Sequence, residues 1–144
     1  MFDLDTCLVF ITNNVAKEIA ENFNERLNVL GTTRVQWIAL YYIEKEGTIS
    51  QSELGERMAI KASSVARLID RMEREEYVLR KRSKDDKRRV DLYLTDKGKE
   101  IREKLLPEGE KMSQLVSKDI SREEMKTFKN VLNKMSLNLI NENE

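Results

Sequence analysis

Sixteen residues near the middle of the chain, Arg80 to Thr95, read R-K-R-S-K-D-D-K-R-R-V-D-L-Y-L-T and constrain the fold more than any other stretch. Val90, Leu92 and Leu94 alternate with Arg89, Asp91 and Tyr93. This period of two marks a half-buried strand. Val78 and Leu79 lead a second extended run through Arg80, Lys81 and Arg82, and Ser83 to Lys87 supplies polar turn chemistry between the two. The stretch predicts a hairpin with a strongly basic tip in a chain that otherwise reads as helix. Two strands alone are marginal in water, so the hairpin must lean on the helices beside it. A basic hairpin next to a helix pair suits a nucleic-acid duplex, with the helix in one groove and the hairpin on the backbone or the neighbouring groove.

Asp86-x-Arg88 followed by Val90, Leu92, Leu94 and Thr95 resembles the wing signature of the MarR family of winged helix-turn-helix regulators. Ile49 to Val78 is similar to that family's helix-turn-helix. Leu105-Leu106-Pro107-Glu108 resembles a helix break common there. The resemblance covers essentially the whole chain. It implies a mainly α fold with a small β-hairpin wing and dimerisation helices at both ends.

The residues support much of this independently. With 144 residues the chain is expected to form one domain over 1–144. No run approaches ~18 consecutive apolar residues, and Met1-Phe2-Asp3-Leu4-Asp5 lacks a signal peptide's basic start. A single cysteine allows no internal disulfide, so a cytoplasmic protein with no membrane association is expected. The absence of histidine removes the commonest metal ligand and general base. Neither a nucleophile–base pair nor a phosphate loop is visible. No catalytic residue, metal ligand or cofactor is expected.

Net charge is zero, yet its distribution is uneven. Residues 57–89 hold 12 Lys/Arg against 6 Asp/Glu, a net of +6. Residues 1–56 carry −5 and residues 90–144 carry −1. A basic centre between acidic or neutral ends is a localised footprint for phosphate.

Along the chain, Leu4, Leu8, Ile11, Val15, Ile19, Phe23, Leu27 and Leu30 predict a helix over about 3–30, stopped by Gly31. Thr33-Arg34-Val35-Gln36 has the form of a capping box, opening a second helix that closes at Gly47. That helix is apolar nearly all round and is expected to be buried on several sides. The helix-turn-helix is placed at about 50–76. Ser50 and Glu53 form an S-x-x-E box, with Ile49 able to staple onto Leu54. Val65, Leu68, Ile69 and Met72 are the buried stripe of a helix over about 62–76, whose start is open to a shift towards Ser63 because Lys61 is a poor cap. The wing is placed at about 78–95. Thr95 caps a fifth helix, which Pro107 should kink or end. Ser121-Arg122-Glu123-Glu124 opens the last helix, whose Met125, Phe128, Leu132, Met135 and Leu139 step 3, 4, 3, 4 as in a coiled-coil seam.

The terminal helices, about 3–30 and 96–141, carry more apolar surface than a small core can cover. A monomeric helical bundle is one reading, and a homodimer fits the seams better. Two-fold symmetry would then set two recognition helices ~34 Å apart on a pseudo-palindromic operator in double-stranded DNA. In the recognition helix Ser63, Ser64, Arg67 and Arg71 are expected to face the major groove, with Arg67 the first candidate for a guanine edge. Arg71 and Arg74 have a plainer reading as surface pairs with Asp70 or Glu75, which suits Arg74 better. The resemblance implies that Arg88 enters the minor groove with Asp86 steadying it, a role that suits arginine. Arg80, Arg82, Lys84, Lys87 and Arg89 are expected to contact mostly phosphate.

The resemblance also implies a small aromatic or anionic effector near the second helix, where Arg34, Trp37 and Tyr41 form a candidate pocket. Trp37 and Tyr41 suit a core-filling role equally well. One branch of the family senses peroxides through a cysteine in its first helix. Alignment on Gln36 sets Val9 at that place, and Cys7 lies about 200° round the helix. Phe23 and Arg34 stand where that branch has tyrosines, so an inert Cys7 is expected. The leading expectation is a ligand-responsive repressor. The alternative is a winged-helix module that binds other proteins without specific DNA binding.

Overall fold

The computed structural model describes residues 1–143. Six helices and a three-stranded antiparallel sheet follow in the order α1 (Leu8–Val29), α2 (Arg34–Glu46), β1 (Ile49–Ser50), α3 (Gln51–Met58), α4 (Ala62–Arg74), β2 (Val78–Arg82), β3 (Val90–Leu94), α5 (Asp96–Val116) and α6 (Arg122–Glu142). The mainly helical winged architecture expected from the sequence is therefore observed. The chain divides into two compact units, Met1–Gly109 and the segment from Glu110 onward. No helix among the described residues is long and apolar enough to cross a membrane.

Helix boundaries follow capping chemistry. The Asp3 carboxylate accepts the Asp5 N–H and the Thr6 hydroxyl donates to the Asp3 carbonyl, so the chain turns there and α1 starts at Leu8, not at Asp3 as expected. Cys7, half-buried, occupies the N-cap position without a side-chain cap bond. At α2 only half of the predicted box forms. Thr33 Oγ1 accepts the Gln36 N–H, but the Gln36 side chain turns inward to other partners. Gly47 ends α2 at φ +72°, in the left-handed region that glycine enters without strain. The Ser50–Glu53 box is complete in both directions, a device worth about 1 kcal/mol. Ile49 and Leu54 are both buried, as a staple requires.

The core of the first unit joins α2, the helix pair and the sheet. Ala39, Leu40, Ile43, Ile49, Leu54, Val65, Leu68, Ile69, Met72, Val78, Leu92 and Leu94 form one buried cluster. The alternation read in β3 holds: Leu92 and Leu94 face this core. The sheet order is β1-β3-β2, with Ile49 opposite Leu92 and Arg80 opposite Leu92 on the other side. β1 was missed because two residues carry no periodicity. It covers part of the outer edge of β3 and joins the wing to the start of α3.

Pro107 lies inside α5, so of the two outcomes expected there, a kink or an end, the end does not occur. Contacts with α2 hold the surrounding turns: Leu105 is buried, its carbonyl accepts Trp37 Nε1–H at 2.8 Å, and Gly109 abuts the indole so closely that a Cβ there would lie 2.5 Å from it. These interactions offset the one helical bond that proline deletes. α4 begins at Ala62, without the shift towards Ser63, and ends at Arg74. Glu76 then takes a left-handed conformation, its carbonyl receiving the Thr95 hydroxyl. Among the apolar positions of α1, Leu8, Val9, Ile11, Val15 and Ile19 are exposed. So are Phe128, Leu132, Met135 and Leu139 of α6, and only Met125 is part-buried.

Candidate nucleic-acid interface

α4 packs its Val65-Leu68-Ile69-Met72 stripe onto the core and turns Ser63, Ser64, Arg67, Arg71 and Arg74 outward. Gly55 permits the close approach of α3 and α4, since a Cβ there would meet Val65 at 2.9 Å. On the outer face Arg71 pairs with Glu75 at 3.2 Å. The surface pair assigned more readily to Arg74 thus belongs to Arg71, because i,i+4 spacing sets Arg71 over Glu75. Arg67 and Arg74 make no ion pair among the described residues.

The wing is built by its own backbone. The Ser83 N–H donates to the Arg89 carbonyl, and the Arg89 N–H donates to the Asp86 carbonyl. Ser83 Oγ accepts from the N–H groups of Asp85 and Asp86. Asp86 Oδ1 accepts the Arg88 N–H at 2.9 Å, so Asp86 steadies the backbone of Arg88 and leaves its guanidinium to solvent. Arg82, Lys84, Lys87 and Arg88 are exposed and unpaired among the described residues.

Two arginines expected to contact phosphate are instead spent inside the protein. Arg80, whose side chain is 24% exposed, donates to Gln51 Oε1 of α3 and to the Ala66 carbonyl of α4, and pairs with Asp70 at 2.6 Å. It clamps strand β2 to both helices of the helix-turn-helix. Arg89 binds Glu53 at 2.9 Å and Asp91 at 2.5 Å, tying the wing to the α3 N-terminus. Backbone donation from Ser50, and then the Arg89 guanidinium, hold the Glu53 carboxyl below its usual range. Glu53 and Asp91 push the Arg89 pKa up. Gln51, Asp70 and Glu53 were not singled out as wing anchors, because partners 10 to 36 residues apart leave no local pattern.

An open groove of about 720 Å³ has walls that include Gln51 and Ser52 of α3, Ala62 of α4, and Asp86, Arg88 and Arg89 of the wing. The wing tip and the start of the recognition helix thus border a common space.

The candidate effector residues are brought together differently. Trp37 packs edge-on against Phe23 at 5.2 Å and stacks on Tyr41 at 6.2 Å. Trp37 is half-buried, with its N–H bound to the Leu105 carbonyl. Arg34, half-buried, is fixed through its backbone N–H to Asn24 Oδ1. Two cations lie over the Tyr41 ring, Lys45 at 5.5 Å and Arg102 at 5.6 Å, and the buried Nε of Arg102 has no hydrogen-bond partner among the described residues. Arg102 escaped notice because α5 offered only an ordinary charged helix face.

A helix-turn-helix braced to a basic β-wing defines a winged-helix protein. The MarR family model matches residues 32–90, which span α2 to the wing. The HTH-type transcriptional repressor MdtR of Bacillus subtilis is 32% identical over 98 residues, covering 68% of this chain and 61% of MdtR. The HTH-type transcriptional regulator SarZ of Staphylococcus epidermidis is 30% identical over 95 residues, covering 66% of this chain and 63% of SarZ. The match therefore spans less than two thirds of either relative. A MarR mutant from E. coli complexed with operator DNA superposes with a TM-score of 0.81 at 26% identity, over 89% of this chain and 92% of that one. The chain is thus similar to the MarR family in sequence over residues 32–90 and in fold over most of its length.

Proposed function

We propose that this protein is a cytoplasmic transcription regulator that binds double-stranded DNA sequence-specifically as a homodimer and acts as a repressor. The observation that carries the reading is the division of labour among the central arginines. Arg80 and Arg89 lock the wing, while Arg67, Arg82, Lys84, Lys87 and Arg88 stay exposed on the locked frame. Ser63, Ser64, Arg67 and Arg71 then read the major groove, and Arg88 reaches the minor groove. Lys84, Lys87 and Arg82 neutralise phosphates. The names of MdtR, a repressor, and of the MarR–operator complex support the same assignment.

The exposed apolar stripes of α1 and α6 support a dimer, since patches of this extent mark association surfaces. A pseudo-palindromic operator follows from the two-fold symmetry. A small aromatic anion is the effector class best matched to Tyr41 with the Arg102 Nε, which has no partner among the described residues. The test is binding of the purified protein to its own upstream DNA against scrambled DNA of equal length at moderate salt. A strong preference for upstream DNA is expected. Equal binding to both would overturn the reading and favour a module that binds protein partners.

A further inference from the structure

Gln36 is a fully buried polar side chain, 2% exposed, in the core of a helix that otherwise buries apolar residues. A buried amide is costly unless its donors and acceptor are used. Its Oε1 accepts the Thr32 hydroxyl at 3.0 Å, and its Nε2 donates to Glu75 Oε2 at 2.8 Å. Thr32, itself buried, hangs from the end of α1 through its N–H to the Leu27 carbonyl. The other oxygen of Glu75 accepts Arg71 Nε–H at 3.2 Å. A polar chain thus runs from the α1–α2 junction through the core to the outer face of the recognition helix.

The chemistry of the last link is informative. Arginine carries five N–H donors in a planar fork. Glu75 takes only the Nε–H, so both terminal amino groups of Arg71 remain for another partner. The Gln36 amide fixes one carboxylate oxygen and hence the direction of the other. Arg71 also lies one turn from Arg67 and two from Ser63 on the same helix face. Bidentate recognition of a guanine edge requires a guanidinium held in one plane, and an unbraced arginine loses rotamer freedom on binding.

We infer that Gln36 and Glu75 are positioning residues that brace Arg71 as a sequence-reading side chain. Arg71 then joins Arg67 as a determinant of specificity. The inference rests on the proposed docking of α4 in the major groove.

The test is the Glu75→Ala variant, assayed on the operator and on random DNA across a salt series. Glu75 is partly exposed at the helix end, and its loss leaves a donor of the buried Gln36 amide without this acceptor, a destabilisation that is checked by thermal unfolding of the variant. Removal of a negative charge from a DNA-facing surface would, by electrostatics alone, tighten binding to both DNAs equally. The brace predicts that the ratio of operator to random affinity falls, by roughly 5- to 10-fold. That is part of the roughly 5- to 150-fold discrimination carried by one bidentate contact. Gln36→Met, which conserves volume, is expected to lower the ratio less. Neither substitution is expected to lower it further once Arg71→Ala is present. An unchanged ratio in Glu75→Ala, with wild-type protein still preferring the operator, overturns the brace. Wild-type protein with no preference overturns the docking of α4 itself.

Discussion

Arg80→Ala separates a structural arginine from a DNA-contacting one. The side chain is 24% exposed and, besides ion pairs with Asp70 and, at 3.5 Å, with Glu73, makes two hydrogen bonds to uncharged groups, Gln51 Oε1 at 3.0 Å and the Ala66 carbonyl at 3.1 Å. Each contributes about 0.5–1.5 kcal/mol net. Its ion pair with Asp70 is short, but Asp70 is 59% exposed, so solvent screening limits that contribution to about 1 kcal/mol or less. Truncation is therefore expected to cost about 2–3 kcal/mol of folding stability. For a chain of this size that lowers the thermal midpoint by very roughly 5–12 °C, measured by calorimetry at one fixed protein concentration. DNA affinity is expected to fall as well, because the wing loses its tie to α3 and α4. The dependence of log K on log salt is expected to keep its wild-type slope, since no phosphate contact has been removed. Loss of a true phosphate contact lowers that slope by about one unit. A variant with wild-type thermal stability and a slope flatter by one unit would show that Arg80 faces the backbone of DNA and refute the clamp.

Lys84→Ala, in contrast, is expected to flatten the salt slope by about one unit and to weaken operator and random DNA alike. Arg67→Ala is expected to cost about 1–3 kcal/mol chiefly on the operator, and equal losses for the two variants on both DNAs would remove α4 from sequence readout. The Glu53 carboxyl is held below its ordinary range first by the Ser50 backbone N–H and then by Arg89, so its contribution is complete above about pH 5 and is lost as pH falls through the lowered folded value. Glu53→Gln is thus expected to shrink the acid-side loss of stability in denaturant titrations below about pH 5, and coincident acid limbs for variant and wild type would argue that the anchor contributes nothing. Aspartates at both Leu132 and Met135 would bury unpaired charge in the proposed dimer seam at a cost of several kcal/mol. Sedimentation should then show monomers or aggregates, and a persistent dimer would show that the seam lies elsewhere.

What was legible in the sequence was what is encoded locally. The period of two in Val90, Leu92 and Leu94 located β3 and its buried face, and the Ser50-x-x-Glu53 spacing located the start of α3. Both depend on neighbours within a few residues. The wing sequence also fixed which cations could be exposed, but not which ones are. Arg80 and Arg89 read like Arg82 and Arg88 until Gln51, Asp70 and Glu53 come within reach from other elements. Pro107 failed as a stop for a related reason. The Trp37 bond to Leu105 and the packing against Gly109 arise only when α2 and α5 meet.

The same distinction explains why a chain of zero net charge can serve a polyanion. Of the cations in the central basic stretch, Arg57, Arg71, Arg80 and Arg89 are paired with Glu46, Glu75, Asp70 and Glu53 respectively. Three of these pairs join different elements, and the Arg71–Glu75 pair lies within the α4 terminus. The carboxylates in this region therefore do more than dilute the positive field. They hold the helix pair and the wing in one arrangement, so the remaining cations reach a ligand without first being ordered. Ordering long side chains and a loop at the moment of binding subtracts directly from affinity. Replacing these acids with neutral residues would raise the net positive charge, yet it is expected to weaken binding to a specific site while strengthening it to random DNA. Composition alone would predict a gain on both.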